Sequence, residues 1–263
     1  MIRLGTTSYI LPADIIPNIR YLAGKVSDIE LVLFESQGMS NLPDAESVKV
    51  MKALADEYHL SYTVHFPLDI YPGSFEEPVR RRAVDTLLRV VDLTRDLPVF
   101  SYVLHLTPEG FGEVPSVNVP LWLGQLEKSL GELLAGSGLE GRMFSCETLS
   151  YPFSIVLPLV EEFSTSVTLD IGHVWRMGYD AVPVADELLP LARVIHLHGV
   201  EGTHDHQSLL KGDQGQIGAF LKQLVRQDAL DGMERVLTLE IFSEDDFSTS
   251  KELLLHSYHL DIL

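Results

Sequence analysis

Histidine and carboxylate side chains recur along the chain in short segments whose chemistry suits metal binding. The segments read VHFP, LHL, CET, LDIGH, IHLHG, THDHQSL and LEIF, and their candidate ligands are His65, His105, Glu147, Asp170, His173, His196, His204, His206 and Glu240. One histidine in an apolar strand is more often a hydrogen-bonded core residue than a ligand. A converging set of imidazoles and carboxylates, however, would leave buried charge and polar atoms unpaired unless cations bound between them. The set therefore predicts a site for two to three divalent ions.

The donor atoms also indicate which metals fit. Imidazole nitrogen mixed with carboxylate oxygen suits Zn, Mn or Fe(II) better than Mg or Ca. The only cysteine of the chain, Cys146, directly precedes Glu147 and is expected to point toward the helices, where it packs. A thiolate-rich structural zinc site is therefore disfavoured, and a single cysteine cannot form an intrachain disulfide.

The candidate ligands fall at or just beyond the ends of short β-rich runs that alternate with segments of helical periodicity. The runs are Ile2–Thr7, Ile29–Glu35, Tyr62–His65, Tyr102–Leu106, Met143–Glu147, Val167–Ile171, Val194–His198 and Val236–Ile241. The helical candidates lie near residues 13–23, 44–58, 77–95, 120–135, 153–163, 184–190, 216–228 and 247–258. This alternation predicts a single-domain (β/α)8 barrel over residues 1–263. The alternative, an open doubly wound sheet, is disfavoured because GTTSYILP after the first strand lacks the glycine-rich dinucleotide fingerprint.

A barrel would gather the candidate ligands at one place. In such folds the functional groups sit at the C-terminal ends of the strands and in the loops that follow. Six consecutive strand ends, from the third to the eighth, each offer an imidazole or a carboxylate. Adjacent ligand-bearing backbones would then lie roughly 5 Å apart around one rim, which is close enough to share metal ions.

The overall composition limits the classes of molecule that the protein is expected to bind. The chain of 263 residues carries 38 Asp and Glu against 19 Lys and Arg, a formal net charge of -19. Such a field repels polyanions, so nucleic acids and anionic membranes are poor partners. The longest apolar run, around residues 155–160, contains Pro158 and is too short to span a membrane, and no signal peptide is evident. We therefore expect a cytoplasmic protein with a small-molecule substrate.

At the ligand residues the sequence resembles the apurinic-endonuclease type of the xylose-isomerase-like barrels, whose members use three clustered ions to cleave phosphate esters. The resemblance covers nearly the whole chain. It implies one ion held by His65, His105 and Glu147, and a second held by Glu147, Asp170, His196 and Glu240. For a third ion it implies His173, His204 and His206. The endonucleases usually have Asp where this chain has His204, so the third site would be richer in nitrogen.

Several other segments carry a narrower resemblance. The opening LGTTSYILPADIIPNIRYLA, the strands ELVLFES and YTVHFPLD and the loop HDHQSL resemble the cobamide-remodelling phosphodiesterase (CbiR) family. Members of that family hydrolyse the phosphoester that joins cobinamide phosphate to the α-ribazole nucleoside of a cobamide. The resemblance implies the same activity here, whereas spacing and periodicity alone do not indicate a corrinoid.

Phosphodiester hydrolysis suggests roles for further residues. Clustered ions lower the pKa of a bound water toward about 7 and stabilise the departing oxygen. We expect Glu147, as a bridge between ions, and Glu240 to be the catalytic carboxylates. Glu35, at the end of the second strand, is a candidate hydrogen-bond partner for a ligand histidine. The candidates for phosphate contact and for stacking on a planar ligand, each also explicable as surface charge or packing, are Arg176, Lys211, Tyr9, Phe66 and Trp175.

Two other functions remain open at the level of sequence. A metal-dependent sugar isomerase or epimerase would need only the ligands of the last four strands, so the additional histidines favour phosphoester hydrolysis. A non-catalytic barrel that binds metal or a corrinoid is the alternative outside enzymes, and a turnover assay separates it from both.

Overall fold

The computed structural model describes residues 1–36 and 39–258, and within them eight parallel strands form a closed barrel in the order β1-β8-β7-β6-β5-β4-β3-β2. The strands are β1 (Ile2–Thr7), β2 (Asp28–Val32), β3 (Ser61–His65), β4 (Val99–Leu104), β5 (Phe144–Glu147), β6 (Ser166–Asp170), β7 (Ala192–Leu197) and β8 (Arg235–Leu239). The barrel closes where β1 pairs with β8, with Leu4 beside Leu237. The predicted (β/α)8 architecture is therefore confirmed.

Helices surround the barrel. They are α1 (Ile15–Leu22), α2 (Ala45–Tyr58), α3 (Glu77–Thr94), α4 (Val119–Ser137), α5 (Leu157–Glu162), α6 (Ile171–Arg176), α7 (Ala181–Leu188), α8 (Gln214–Asp231) and α9 (Glu244–Glu252). Short helical turns span Gly141–Met143, Phe153–Ile155 and Leu209–Lys211, and a π-helical turn spans Leu253–Ser257. Helix α3 illustrates the packing, because Ala83, Leu87, Val90 and Val91 recur at helical spacing and are all buried.

Helix α6 was not predicted from the sequence. The expected strand Val167–Ile171 instead ends at Asp170, whose carboxylate accepts a hydrogen bond from the His173 backbone N–H at 2.8 Å and caps α6. A helix of six residues is too short to produce a clear apolar repeat. Because α6 starts directly at the end of β6, it fixes the position of His173 relative to Asp170.

Two short antiparallel hairpins also differ from the expected elements. The predicted run Ile29–Glu35 ends at Val32, and Glu35–Ser36 pairs with Met39–Ser40. After β7, Gly199–Glu201 pairs with His204–Gln207. This second hairpin carries two of the predicted ligand histidines above the C-terminal end of the barrel.

The apolar core lies between the strands and the surrounding helices. Ile19 of α1, Leu31 of β2 and Phe220 of α8 are fully buried within one continuous cluster. Among the helices of the described residues, none is long and apolar enough to cross a membrane.

Candidate metal centre

The C-terminal ends of the strands bring most of the predicted ligands together inside the barrel, with His204 as an exception. In β7, Val194 and His196 face inward, His198 continues this alternation just beyond the strand, and His196 lies beside Asp170 of β6 in the strand register. The side chains of Asp170, His196 and Glu147 are at most 1% exposed. The ligand set therefore forms the last inward-facing layer of the barrel, where the strands end.

Glu147 lies at the middle of this layer and faces two groups of imidazoles. Its Oε2 atom is 3.3 Å from His65 Nε2 and 2.8 Å from His105 Nε2. Its Oε1 atom is 3.6 Å from His196 Nδ1 and 3.6 Å from His173 Nδ1. Because each oxygen faces a different pair of rings, one carboxylate can contribute to two cation positions.

The first position is formed by the group predicted for it, since His65, His105 and Glu147 each offer a ligand atom within 4.8 Å of the others. The His65 ring is already oriented for this role. Its Nδ1 lies 2.9 Å from the carbonyl oxygen of Phe66, which can only accept a hydrogen bond, so Nδ1 carries the proton. When the ring is neutral, the lone pair of Nε2 is therefore the one directed toward the cation position beside Glu147.

The second position is lined by Glu147, Asp170, His196 and Glu240, whose ligand atoms also lie within 4.8 Å of one another. His196 Nδ1 is 3.3 Å from Glu240 Oε2 and 4.0 Å from Asp170 Oδ2. These three buried atoms have no hydrogen-bond partner among the described residues. A divalent cation would satisfy all three, so the donor set fits a metal ion.

The third position differs from the predicted one. His204 is exposed on the hairpin and belongs to none of the ligand groups found within the described residues, and the rings of His173 and His206 are 6.4 Å apart. His206 instead groups with His198 and Glu240. The predicted trio of His173, His204 and His206 is therefore not brought together in this structure, because the hairpin directs His204 outward.

The role expected of Glu35 belongs to Glu30, which the sequence pattern did not single out. Glu35 is part-exposed and pairs with Arg89 at 2.8 Å. Glu30 is fully buried, and its Oε2 accepts a hydrogen bond from His196 Nε2 at 2.8 Å. That bond leaves Nδ1 of His196 facing the second cation position. The strand alternation of β2 contained the signal, since residue 30 points inward and residue 35 lies beyond the end of the strand.

His198 is a second residue to which the sequence pattern assigned no role. Its Nδ1 accepts a hydrogen bond from the His206 backbone N–H at 2.9 Å, so the neutral ring carries its proton on Nε2, which lies 3.4 Å from Asp170 Oδ1. The ring packs directly on Gly172, where an added Cβ would come within 1.9 Å of it. The glycine of the D-x-G-H segment is therefore required for His198 to approach Asp170.

The protonation states of the histidines and carboxylates in the centre depend on each other. Burial alone would lower the pKa of His65, but its hydrogen bond and ion pair with Glu147 outweigh burial and raise the pKa to about 9. Asp170 and Glu147 likewise raise the pKa of His173 to about 9 against the effect of burial. Burial would raise the pKa of Glu147, yet the neighbouring histidines hold it well below its usual range. Protonated imidazoles thus balance the carboxylates in the metal-free protein, and bound cations would replace those protons.

Comparison with known proteins identifies the family. A family model described as the xylose isomerase-like TIM barrel matches residues 26–257. The chain belongs to the xylose isomerase-like TIM barrel family. No curated protein sequence matches it. Among solved structures, a D-tagatose 3-epimerase-like protein superimposes with a TM-score of 0.78 at 20% identity, covering 98% of each chain.

Two further solved structures share the fold. Endonuclease IV from Thermus thermophilus superimposes with a TM-score of 0.70 at 18% identity, over 98% of this chain and 97% of that chain. An L-ribulose 3-epimerase gives a TM-score of 0.67 at 18% identity, over 100% of this chain and 88% of that chain. At such identities the likeness establishes the fold, and function must be argued from the site.

The residues predicted to contact substrate lie in different parts of the structure. Phe66 is only 1% exposed and stacks on Tyr102 and Phe144, so it packs in the core and is not placed to stack on a ligand. Trp175 lines a cavity of about 300 Å³ with Val200 of the second hairpin, and none of the candidate ligands lines that cavity.

The other predicted contacts lie at the C-terminal end. Arg176 lines a cavity together with His173 and forms an ion pair with Asp205, which ties α6 to the second hairpin. Lys211 is exposed and donates a hydrogen bond to the Gln207 side chain at 2.9 Å. Tyr9 lines a separate, larger cavity.

Cys146 takes no part in the centre. It is fully buried, its Sγ lies 3.5 Å from Thr165 Oγ1, and burial raises the pKa of the thiol to about 11. The ligand atoms at the centre are therefore imidazole nitrogens and carboxylate oxygens, the donor set that suits Zn, Mn or Fe(II).

Proposed function

We propose that the protein is a metal-dependent phosphodiesterase that hydrolyses the nucleotide-loop phosphoester of cobamides, releasing α-ribazole and leaving cobinamide phosphate. The observation that carries the phosphodiesterase part is the division of Glu147 between two sets of histidines. A phosphodiester is cleaved by stabilising charge on two oxygens at once, that of the attacking water and that of the leaving group. Two adjacent cation positions joined by one carboxylate suit this task.

Divalent ions, when bound, supply Lewis-acid stabilisation of the phosphoryl oxygens and an acidified water as nucleophile. The residues of the chain prepare the site for them. Glu30 accepts a hydrogen bond from His196 Nε2, and the Phe66 carbonyl accepts one from His65 Nδ1, so each ring presents its other nitrogen to the centre. His206 Nδ1 donates a hydrogen bond to the Glu240 carbonyl at 3.1 Å, which fixes the orientation of that ring. These hydrogen bonds reduce the reorganisation that ligand binding requires.

The cobamide substrate is supported by the sequence resemblance and by the character of the rim. Three aromatic side chains in loops at the C-terminal end are strongly exposed, with Tyr71 at 48%, Phe111 at 69% and Phe242 at 45%. Exposed apolar groups suit a macrocycle with a large hydrocarbon surface. The net charge of -19 opposes a long polyanion such as DNA.

A sugar isomerase or epimerase is the second candidate. One observation favours it: Glu147, Asp170, His196 and Glu240 by themselves form a complete ligand group for one ion. That function gives no role to His65 and His105, which share the other oxygen of Glu147. We therefore place it second.

A product analysis tests the proposal. Protein loaded separately with Zn, Mn or Fe(II) is incubated with adenosylcobalamin under anoxic, dark conditions, and the products are identified by mass spectrometry. Abasic duplex DNA and a ketose serve as parallel substrates. We expect cobinamide phosphate and α-ribazole, with no strand cleavage and no epimer. Cleavage of the DNA or epimerisation of the ketose without any cobamide product would contradict the proposal.

A further inference from the structure

Two cavities in the described part of the chain open on opposite sides of the metal centre. One adjoins β5 and β6 and the other adjoins β1, β2 and β8. In the closed barrel, three strands separate β1 from β5 in either direction, and the same is true of β2 and β6. The two cavities are therefore diametrically opposed across the centre.

The small cavity has a volume of about 220 Å³ and lies between the loop after β5 and helices α6 and α7. Its walls are mainly apolar and include Leu149, Phe153 and Met177. A second space of about 190 Å³ shares Leu149 and Met177 with it and reaches His173. The small cavity thus lies next to the space that reaches the centre at His173, whose Nδ1 is 3.2 Å from Asp170 Oδ2.

The large cavity has a volume of about 630 Å³ and is lined by Tyr9, Leu11, Val32 and Phe242. It adjoins the centre on the side of Glu240, because the ring of Phe242 lies 5.3 Å from the ring of His206. The cavity is wide, open and apolar, so it suits part of a large flat ligand better than a compact sugar.

We propose that the substrate phosphodiester lies across the centre with its two alcohols on opposite sides: the nucleoside base in the small cavity and the macrocycle against the large cavity. The inference rests on the proposed function. The small cavity admits one bicyclic aromatic group and excludes a corrin ring, and Met177 and Phe153 in its lining suit the face of such a group. Water adds to phosphorus, the bond from phosphorus to the nucleoside oxygen breaks, and that oxygen takes the proton, so phosphate stays on the macrocyclic side.

Two variants, each of which fills one cavity, test which ligand binds in which cavity. Met177→Trp fills the small cavity, and Leu11→Trp fills part of the large one. Binding of α-ribazole and of cobinamide to the zinc-loaded proteins is measured by isothermal titration calorimetry. We expect Met177→Trp to weaken α-ribazole by about tenfold or more and to leave cobinamide unchanged, and Leu11→Trp to do the reverse. If Met177→Trp fails to fold, as judged by circular dichroism, Val184→Phe fills the same cavity with a smaller side chain.

The outcomes distinguish this inference from the proposed function. Equal effects of both variants on both ligands, or no effect of either, would overturn the inference. Wild-type protein that cleaves a cobamide but binds α-ribazole independently of Met177 would overturn the inference alone. Protein that cleaves no cobamide, yet binds α-ribazole in a manner sensitive to Met177→Trp, would overturn the proposed substrate and support the cavity assignment.

Discussion

Two buried carboxylates stand two residues apart on β2 and show how the ends of the barrel differ. Asp28, toward the N-terminal end, accepts hydrogen bonds from the Ser61 hydroxyl and from the Thr63 N–H, the latter at 3.1 Å. Glu30, toward the C-terminal end, pairs through one oxygen with His196, and its other oxygen has no hydrogen-bond partner among the described residues.

The titratable neighbours of Glu30 share this feature. Around Glu30, buried polar atoms without a hydrogen-bond partner in the described chain recur on adjacent strands, namely Asp170 Oδ2, His196 Nδ1 and Glu240 Oε2. A protein interior normally satisfies such atoms, as it does at Asp28. Asp28 therefore contributes hydrogen bonds at the N-terminal end, whereas the C-terminal end offers buried donor atoms that a cation would satisfy.

The largest effect is expected at the carboxylate that serves both cation positions. Glu147→Gln removes a charge that faces both sets of histidines, so turnover of the phosphodiester should fall by about 100- to 1000-fold. Lys211→Ala is the control, because that side chain is exposed and bonded only to Gln207 among the described residues, and its turnover should stay within about fivefold of the parent. Steady-state kinetics measures both, and comparable losses would mean that Glu147 is not at the centre of the reaction.

A smaller effect is expected from the group that orients His196. Glu30→Gln weakens the hydrogen bond to His196 Nε2, so metal affinity should fall by about 10- to 100-fold. Glu35→Gln is a matched control, since Glu35 pairs with Arg89 at the protein surface. Competition with a chromogenic chelator reports both affinities. A loss in Glu35→Gln and none in Glu30→Gln would reverse the roles of the two residues.

Folding stability and metal affinity should depend on pH in opposite directions, because protons and metal ions compete for the same histidine rings. The pKa of His65 and His173 is raised to about 9 in the folded metal-free protein. Their contribution to stability is therefore fully present below the unfolded value, about 6.5, and is lost as pH rises through 9. Metal ions need the neutral rings, so metal affinity should rise over the same interval by up to about tenfold per pH unit for each proton released.

These opposite trends are measurable in one experiment series. Thermal melting of the metal-free protein should show a midpoint that decreases between pH 6.5 and 9, while chelator competition shows tighter zinc binding at each step. Zinc affinity that is independent of pH across this interval would show that the ligand histidines are already neutral.

The smallest effect on the metal centre is expected at the N-terminal end. Asp28→Ala leaves the Ser61 hydroxyl and the Thr63 amide without their buried partner, which should cost about 1–3 kcal/mol of folding free energy. Zinc content should not change. Urea denaturation and elemental analysis of the same preparation check the two halves of this prediction, and a parallel loss of zinc would show that the two ends are coupled.

Much of the fold was predictable because the barrel strands are marked by their composition. The run Val236–Ile241, for example, overlaps most of the strand found at Arg235–Leu239. Helix α6 and the hairpin carrying His204 were not predicted, since elements of a few residues have no detectable period.

The candidate site was predictable to the extent that ligands follow strand ends. His65, His105 and Glu147 needed only the strand order to come together. His204 lies on a hairpin whose direction depends on tertiary contacts such as the ion pair between Arg176 and Asp205, and the sequence does not reveal it. The sequence pattern did not identify Glu30, because the β-rich run extends to Glu35 and places that carboxylate at the strand end. In the structure, the inward alternation within β2 decides which carboxylate is buried.

The central claim is that the C-terminal end of the barrel holds more than one cation. Elemental analysis of protein purified without chelators, combined with native mass spectrometry to count ions on each folded chain, tests it directly. We predict two to three divalent ions per chain, with fewer in Glu147→Gln. One ion per chain in the fully folded wild-type protein, even after incubation with excess zinc or manganese, would contradict it.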